Sequence, residues 1–151
     1  MSFGLTVKNW FKSTGSSLTE QVKKFKNKNF MEAVCAGCAL VAAADGEIDP
    51  TEKQKMAGFI GRSDELKVFN MNEVIDTFNK YAGNFEFDHI IGKTEALKVI
   101  GQFKSNPEIA RVIVGVCCAI GAADGEFDQQ EKAMVRDICQ ALQINPSDFQ
   151  L

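Results

Sequence analysis

Each of the three prolines in this chain directly follows an aspartate or an asparagine. The pairs are Asp49-Pro50, Asn106-Pro107 and Asn145-Pro146. An Asp or Asn side chain accepts a hydrogen bond from a free N–H at the start of a helix. Proline is tolerated at the first helical position because the N–H that it lacks would have no partner there. Three helix starts are therefore predicted, at residues 50, 107 and 146.

The apolar residues that follow Pro107 recur at intervals of three and four, which is the period of a helix. They are Ile109, Val112, Ile113, Val116, Cys117 and Ile120. Roughly residues 30 to 44 share this rhythm, and Asn72 is predicted to cap a further helix. No Val/Ile/Thr alternation bounded by a hairpin turn indicates a strand. The sequence predicts an all-α, single-domain bundle of about seven helices.

One acidic segment occurs twice. AAADGEIDPTEK, which begins at residue 42, returns 79 positions later as GAADGEFDQQEK. This recurrence predicts an internal pseudo-repeat of helix–acidic corner–helix units. The acidic positions of the two copies are Asp45, Glu47, Asp49 and Glu52, and Asp124, Glu126, Asp128 and Glu131.

Helix capping accounts for half of these carboxylates. Asp49 and Asp128 are placed to cap the following helices, and Glu52 and Glu131, three residues later, complete the pattern of a capping box. Such a cap contributes about 1 kcal/mol to stability. Gly46 suits the left-handed conformation that ends the preceding helix. Stability alone is therefore a sufficient reason for four of the eight acidic residues.

Capping does not account for Asp45, Glu47, Asp124 and Glu126. Asp45 and Asp124 are predicted to lie at a helix C-terminus, where a carboxylate is disfavoured by roughly 0.3 to 1 kcal/mol. A divalent cation would offset this repulsion, and oxygen ligands suit Ca²⁺ or Mg²⁺. The spacing is not that of an EF-hand. Two alternatives stay open, a cation site and a solvated acidic corner that recognises a protein partner.

The first 30 residues carry a charge opposite to that of the rest of the chain. They hold six lysines and one acid, a net charge of +5, whereas the remainder is −8. Apolar side chains recur among these lysines at near-helical spacing, at Phe3, Val7, Trp10, Phe11, Leu18, Val22 and Phe25. Residues 1–30 are predicted to be a basic amphipathic segment that binds an anionic membrane surface, or whose aromatic side chains dock on the bundle. The acidic body argues against nucleic-acid binding.

The cysteines and the single histidine are the other side chains with chemical potential, and they indicate no reactive site. Five cysteines lie in apolar, helix-like runs, so we expect packed, reduced thiols. Cys35 and Cys38 form a C-x-x-C in mid-helix, away from the helix N-terminus that lowers a thiol pKa. His89 is the single histidine, and we expect it on a helix surface or loop. No reactive nucleophile or cofactor motif is present, and no secretion signal or membrane span, so a non-catalytic cytoplasmic protein is predicted.

Several segments together resemble the TerB family of tellurite-resistance and stress-response proteins. They are KNKNFMEAV, DGEIDPTEKQKMAGFI, DELKVF, NFEFDHIIGK, DGEFDQQEK and the terminal NPSDFQL. The resemblance extends essentially from end to end of the chain, and residues 31–151 are predicted to form the TerB-like helical domain. It implies an all-helical domain without known catalytic activity.

The same resemblance implies metal binding through the acidic face formed by the eight repeated carboxylates. It also implies that the protein acts in a membrane-associated assembly, together with the TerC-type membrane protein and the calcium-binding TerD-type proteins. The location implied is the cytoplasm, with peripheral contact at the inner face of the membrane.

Overall fold

A computed structural model describes residues 17–122 and 127–151. These residues form seven α-helices and no strand, and 74% of them are helical. The prediction of an all-α single domain is confirmed. The helices are α1 (Leu18–Lys24), α2 (Lys28–Ala42), α3 (Pro50–Gly61), α4 (Met71–Phe87), α5 (His89–Gly101), α6 (Pro107–Gly121) and α7 (Gln129–Leu142), followed by a 3₁₀ helix (Pro146–Phe149).

The helices begin where side chains can cap them. All three starts predicted from proline are confirmed, and the third opens the terminal 3₁₀ helix. The predicted cap at Asn72 is wrong by two residues. Helix α4 is capped instead by Asn70, whose Oδ1 accepts the Glu73 N–H at 3.2 Å. Both residues are asparagines with similar capping chemistry, so local sequence does not separate them.

Helices α2 and α6 form the centre of the bundle. Eleven of the fifteen residues in each are buried. They contact one another, and α2 also contacts α3, α4, α5 and α7. The approach is close at Gly37, where an added Cβ would collide with Cys117 Sγ. The central pair therefore depends on a small residue at this crossing.

The N-terminal segment is partly described. Leu18 and Val22 of α1 are buried in the common core, and Lys24 Nζ pairs with Glu108 Oε1 at 2.7 Å. Leu18 and Val22 therefore pack in the bundle, and the choice between membrane binding and docking of the aromatic side chains stays a prediction. Phe3, Val7, Trp10 and Phe11 lie outside the described residues. Within residues 17–122 and 127–151, no helix is long and apolar enough to cross a membrane.

The two helix–corner–helix units share a central helix, an acidic segment and a capped second helix. Helix α2 leads into α3, and α6 leads into α7. Residues 123–126, in the middle of the second corner, lie outside the described part of the chain. The internal pseudo-repeat therefore stays a prediction.

Candidate functional site: a cleft between the acidic corners

The first acidic corner is a short turn held by its own backbone and carboxylates. After α2, Gly46 adopts a φ of +100°, in the left-handed region that favours glycine. It lies three residues beyond the C-cap residue Ala43, so it does not end the helix directly as predicted. Asp45 Oδ1 accepts the Glu47 N–H at 3.1 Å. The corner is thus a defined turn that presents its acidic side chains outside the core.

Each corner ends in the aspartate cap that the sequence predicts. Asp49 Oδ1 accepts the Glu52 N–H at 2.8 Å, and Asp128 Oδ1 accepts the Glu131 N–H at 2.7 Å. At α7 the capping box is complete, because Glu131 Oε1 also accepts the Asp128 N–H at 3.1 Å. Asp124 and Glu126 lie outside the described residues.

The two corners meet in one open cleft of about 220 Å³. Two carboxylates from each corner line it, Asp45 and Glu52 from the first and Asp128 and Glu131 from the second. Of the predicted site residues in the described ranges, Glu47 and Asp49 do not line the cleft. Asp49 instead caps α3, which is the structural role the sequence already gave it. The fold therefore brings together carboxylates that are 79 positions apart in the sequence.

The cleft also has an apolar part that the search for acidic residues missed. Val41, Met56 and Phe59 line it, together with the polar Lys55 and Gln130. Met56 and Phe59 lie three residues apart on α3, and Met56 is buried in the core. Phe59 is only partly buried, so this pair serves both the core and the cleft.

Glu52 is held in surroundings that disfavour its charge. Burial, the negative charges of Asp45 and Asp49, and a side-chain hydrogen bond with Asp45 raise the pKa of Glu52 above its ordinary 4.5, although a hydrogen bond with the Asp49 backbone opposes the rise. Its Oε2 is buried without a hydrogen-bond partner. A second carboxyl close by and an unsatisfied oxygen make Glu52 the residue of the first corner that would gain most from a cation.

The residues of the cleft suit a divalent cation in type, because carboxylate oxygens are the ligands that Ca²⁺ and Mg²⁺ prefer. Their arrangement is not yet that of a closed site. In the described part of the chain, no three His, Cys, Asp or Glu side chains are grouped so as to hold a metal ion. Binding by these residues would therefore require the carboxylates to move toward one another.

The cysteines form no comparable site. All five are buried and free of disulfides. Burial raises the pKa of Cys35 and of Cys139 to about 12. The pKa of Cys38 is raised well above its ordinary value, first by a hydrogen bond with Cys117 and then by burial. His89 opens α5 with its ring against that of Phe85, at 5.5 Å between centroids. The burial and the raised pKa values of the cysteines agree with the expectation of packed thiols.

Comparison with known proteins decides the family. The sequence model described as "Tellurite resistance protein TerB" matches residues 31–151. The chain belongs to the TerB family. It is 46% identical over 119 residues to a "Tellurium resistance protein TerB" from Alcaligenes sp., which covers 78% of this chain and 98% of that relative. No solved structure matches the chain significantly. The family resemblance found in the sequence is thus confirmed, and the family match begins just after the capped start of α2.

Proposed function

We propose that this TerB-family protein is a non-catalytic adaptor in tellurite resistance that binds Ca²⁺ or Mg²⁺ in the cleft between its two acidic corners. One observation carries the proposal: carboxylates from both corners line the same cleft. The unsatisfied Oε2 of Glu52 supports it, because a buried acceptor without a partner costs free energy that a cation would recover. Asp124 and Glu126, which complete the second corner in the sequence, would add further oxygen ligands.

Partners belong to the same proposal. We place the protein in a membrane-associated assembly with TerC-type membrane proteins and calcium-binding TerD-type proteins, in the cytoplasm. The exposed lysines Lys23, Lys26 and Lys28, together with Lys8 and Lys12, give the N-terminal segment the charge that attracts an anionic membrane surface. This attraction would weaken as salt screens it.

Melting in the presence of divalent cations tests the binding site. A ligand that binds only the folded state at a hundred times its Kd stabilises that state by about 2.7 kcal/mol. We expect millimolar Ca²⁺ or Mg²⁺ to raise the melting temperature of the wild-type protein and to shift the NMR signal of the Gly46 amide. The double substitution D45N/E52Q should abolish most of the rise in melting temperature.

Glu47→Gln is the matched control for this experiment. It removes one negative charge from the same corner, where D45N/E52Q removes two, and does so at a residue that does not line the cleft. The control should keep the cation response of the wild type. A wild-type melting temperature that is indifferent to both cations would refute the cation site, and equal losses in both variants would show that only the general charge of the corner matters.

A second candidate function is metal-independent recognition of a protein partner. The apolar part of the cleft, formed by Val41, Met56 and Phe59, favours it, because a hydrated ion gains nothing from apolar walls. A basic side chain with an apolar stem would contact both parts of the cleft. If D45N/E52Q loses binding to a TerD-type protein equally with and without a chelator, recognition rather than cation binding is the function of the cleft.

A further inference from the structure

Helix α1 is short and lies outside the matched family domain. The family match begins at residue 31, whereas α1 ends at Lys24 after seven residues. An isolated helix is marginal in water below about 12 to 15 residues, so α1 depends on packing. Among the helices it packs chiefly on α6. The position of α1 is therefore decided by its contact with one neighbour.

Several features weaken the docking of α1. In the described part of the chain, Gln21 Oε1 is buried without a hydrogen-bond partner, and a buried acceptor in this state costs free energy that water would return. The ion pair between Lys24 and Glu108 is exposed, with 59% and 56% of the two side chains accessible. Exposed pairs contribute little to stability. The docking of α1 therefore relies mainly on the burial of Leu18 and Val22.

The bundle does not need α1 in order to begin its next helix. Asn27 caps α2, with its Oδ1 accepting the Phe30 N–H at 2.9 Å, and Phe30 is fully buried in the core. Residues 25 and 26 separate this cap from the end of α1. Because α2 has its own cap and its own buried anchor, α1 can turn away at these two residues while α2 keeps its place.

The two sides of α1 differ in chemistry. Leu18, Val22 and Phe25 follow at intervals of four and three, which places them on one face of a helix. The first two are buried, and Phe25 packs against the core. Lys23 and Lys26 are exposed. A basic amphipathic helix binds a membrane by burying its apolar face at the lipid surface. Docked α1 offers a membrane only its lysines, because α6 and the core already cover its apolar face.

We propose that α1 is a displaceable strap, which leaves α6 when the N-terminal segment meets an anionic membrane and buries its apolar face in the lipid instead. This inference rests on the membrane role given to the segment under the proposed function. Leu18 and Val22 exchange one apolar environment for another of similar character. Release frees the Gln21 oxygen to bond with water and brings the lysines to the anionic headgroups.

The apolar surface of α6 that release uncovers opposes this exchange. Eleven of the fifteen residues of α6 are buried, so the helix offers little polar surface to water once its cover is gone. The attraction between lysines and headgroups must outweigh this loss. Because salt screens that attraction, added salt should return α1 to α6.

The strap and the acidic cleft lie at opposite ends of α6. Glu108 is in the first turn of this helix, and its last residue, Gly121, lines the cleft. The two positions are about 20 Å apart along the helix axis. Release of α1 and binding of a cation can therefore be measured separately, and failure of the cation site would not bear on the strap.

Carbodiimide cross-linking of the native Lys24 and Glu108 side chains reports whether α1 is docked. The reagent activates the carboxylate, and the lysine amine displaces it to form an amide when the two groups are in contact, as they are at 2.7 Å. We call this product the α1–α6 cross-link and expect it in buffer. With phosphatidylglycerol vesicles its yield, measured by mass spectrometry, should be at least about threefold lower at low salt, where screening is weak. This lipid is anionic and contains neither an amine nor a carboxylate.

The ion pair between Lys53 and Glu86 is the internal control. Its atoms are 2.9 Å apart, and it joins α3 to α4 in the body of the bundle. Its cross-link should form equally with and without vesicles. The protein cross-linked at Lys24 and Glu108 in buffer should then remain in the supernatant when vesicles are sedimented, because its strap is locked.

Charge reversal tests the cause of release. K23E/K26E reverses exposed lysines next to the apolar face of α1, so vesicles should no longer lower the yield of the α1–α6 cross-link. K98E/K104E is the matched control. It reverses two exposed lysines elsewhere on the described surface and should respond to vesicles as the wild type does.

Four results would overturn the strap. If vesicles sediment the protein but leave the α1–α6 cross-link unchanged, lysines attach a docked α1 and the membrane role survives without release. If the protein does not sediment with the vesicles at low salt, the membrane role and the strap fail together. Equal losses of the α1–α6 and control cross-links would mean a general loss of access to the reagent. Absence of the α1–α6 cross-link in buffer would mean that α1 is not docked before the membrane is added.

Discussion

Glu52 combines the two roles of the acidic corner in one side chain. Its N–H is bonded by the cap Asp49, while its carboxyl lies in the cleft beside Asp45. A native pKa above the ordinary value means that the folded state prefers the protonated acid. At neutral pH the ionised Glu52 therefore lowers the stability of the fold in the absence of a cation.

Glu52→Gln should raise the free energy of unfolding at neutral pH by a few tenths to about 1 kcal/mol, the scale of the repulsion between two charges about 4 Å apart in water. The wild type should recover this difference as the pH falls from neutral through the raised native pKa of Glu52 toward 4.5, because protonation then removes the cost of burying the charge and the repulsion from Asp45 and Asp49. Urea denaturation at several pH values measures both. A variant that is less stable than wild type at neutral pH would contradict the prediction.

The cap residues should behave in the opposite way. Asp49→Ala and Asp128→Ala each remove an acceptor from a helix start and should lower the free energy of unfolding by about 1 kcal/mol. Asp76→Ala is the control, because Asp76 is an exposed acidic residue within α4 that caps no helix. This substitution should change stability much less. Urea denaturation of the three variants at neutral pH tests this. Equal effects at all three positions would remove the distinction between capping and general charge.

At the scale of helices, the central pair is sensitive to size at its crossing. Gly37→Ala places a methyl group against Cys117 Sγ and should destabilise the fold by about 1 to 3 kcal/mol through overpacking. Gly83→Ala in α4 meets no atom within 4 Å and should stabilise it by roughly 0.5 to 1 kcal/mol, since alanine is the better helix former. Thermal and urea unfolding give both values.

A double substitution checks the cause of the Gly37 effect. Adding Cys117→Ala to Gly37→Ala removes the atom that the new methyl group meets, so the double variant should lose less stability than the two single variants summed. Additive losses would mean that the Gly37 substitution acts through some other contact.

Short stretches of sequence predict the helices better than they predict the cleft. The dipeptides Asp49-Pro50 and Asn106-Pro107 are each sufficient to predict where a helix starts. Gly46 likewise predicts the turn in which it lies. Asn70 and Asn72 are equivalent as caps, and the packing of α4 decides between them. Glu52 and Glu131 line the same cleft because of how α3 and α7 pack around the central pair, and no short-range pattern carries that information.

At the scale of the whole molecule, the core holds every thiol of the protein. All five cysteines are buried, and burial raises the pKa of Cys35 and of Cys139 to about 12. The reactive form of a cysteine is the thiolate. Both access and ionisation therefore depend on opening the bundle.

A thiol reagent should modify the native protein slowly, at a rate that tracks its unfolding, and should label five thiols at once in denaturant. Mass spectrometry of samples taken over time distinguishes this pattern from stepwise labelling. Rapid modification of Cys35 or Cys38 in the native protein would contradict the packed state of the thiols and revive a redox role for the C-x-x-C pair.

The buried thiols also make the wild-type sequence a ready background for site-specific probes. Asn79 is exposed on α4, so N79C would add one accessible thiol to the five buried ones. A spin label or fluorophore could be attached there without first replacing any native cysteine, and the central helices would keep the side chains around which they pack. Distances from that probe to a paramagnetic cation could then be measured in an otherwise unaltered core.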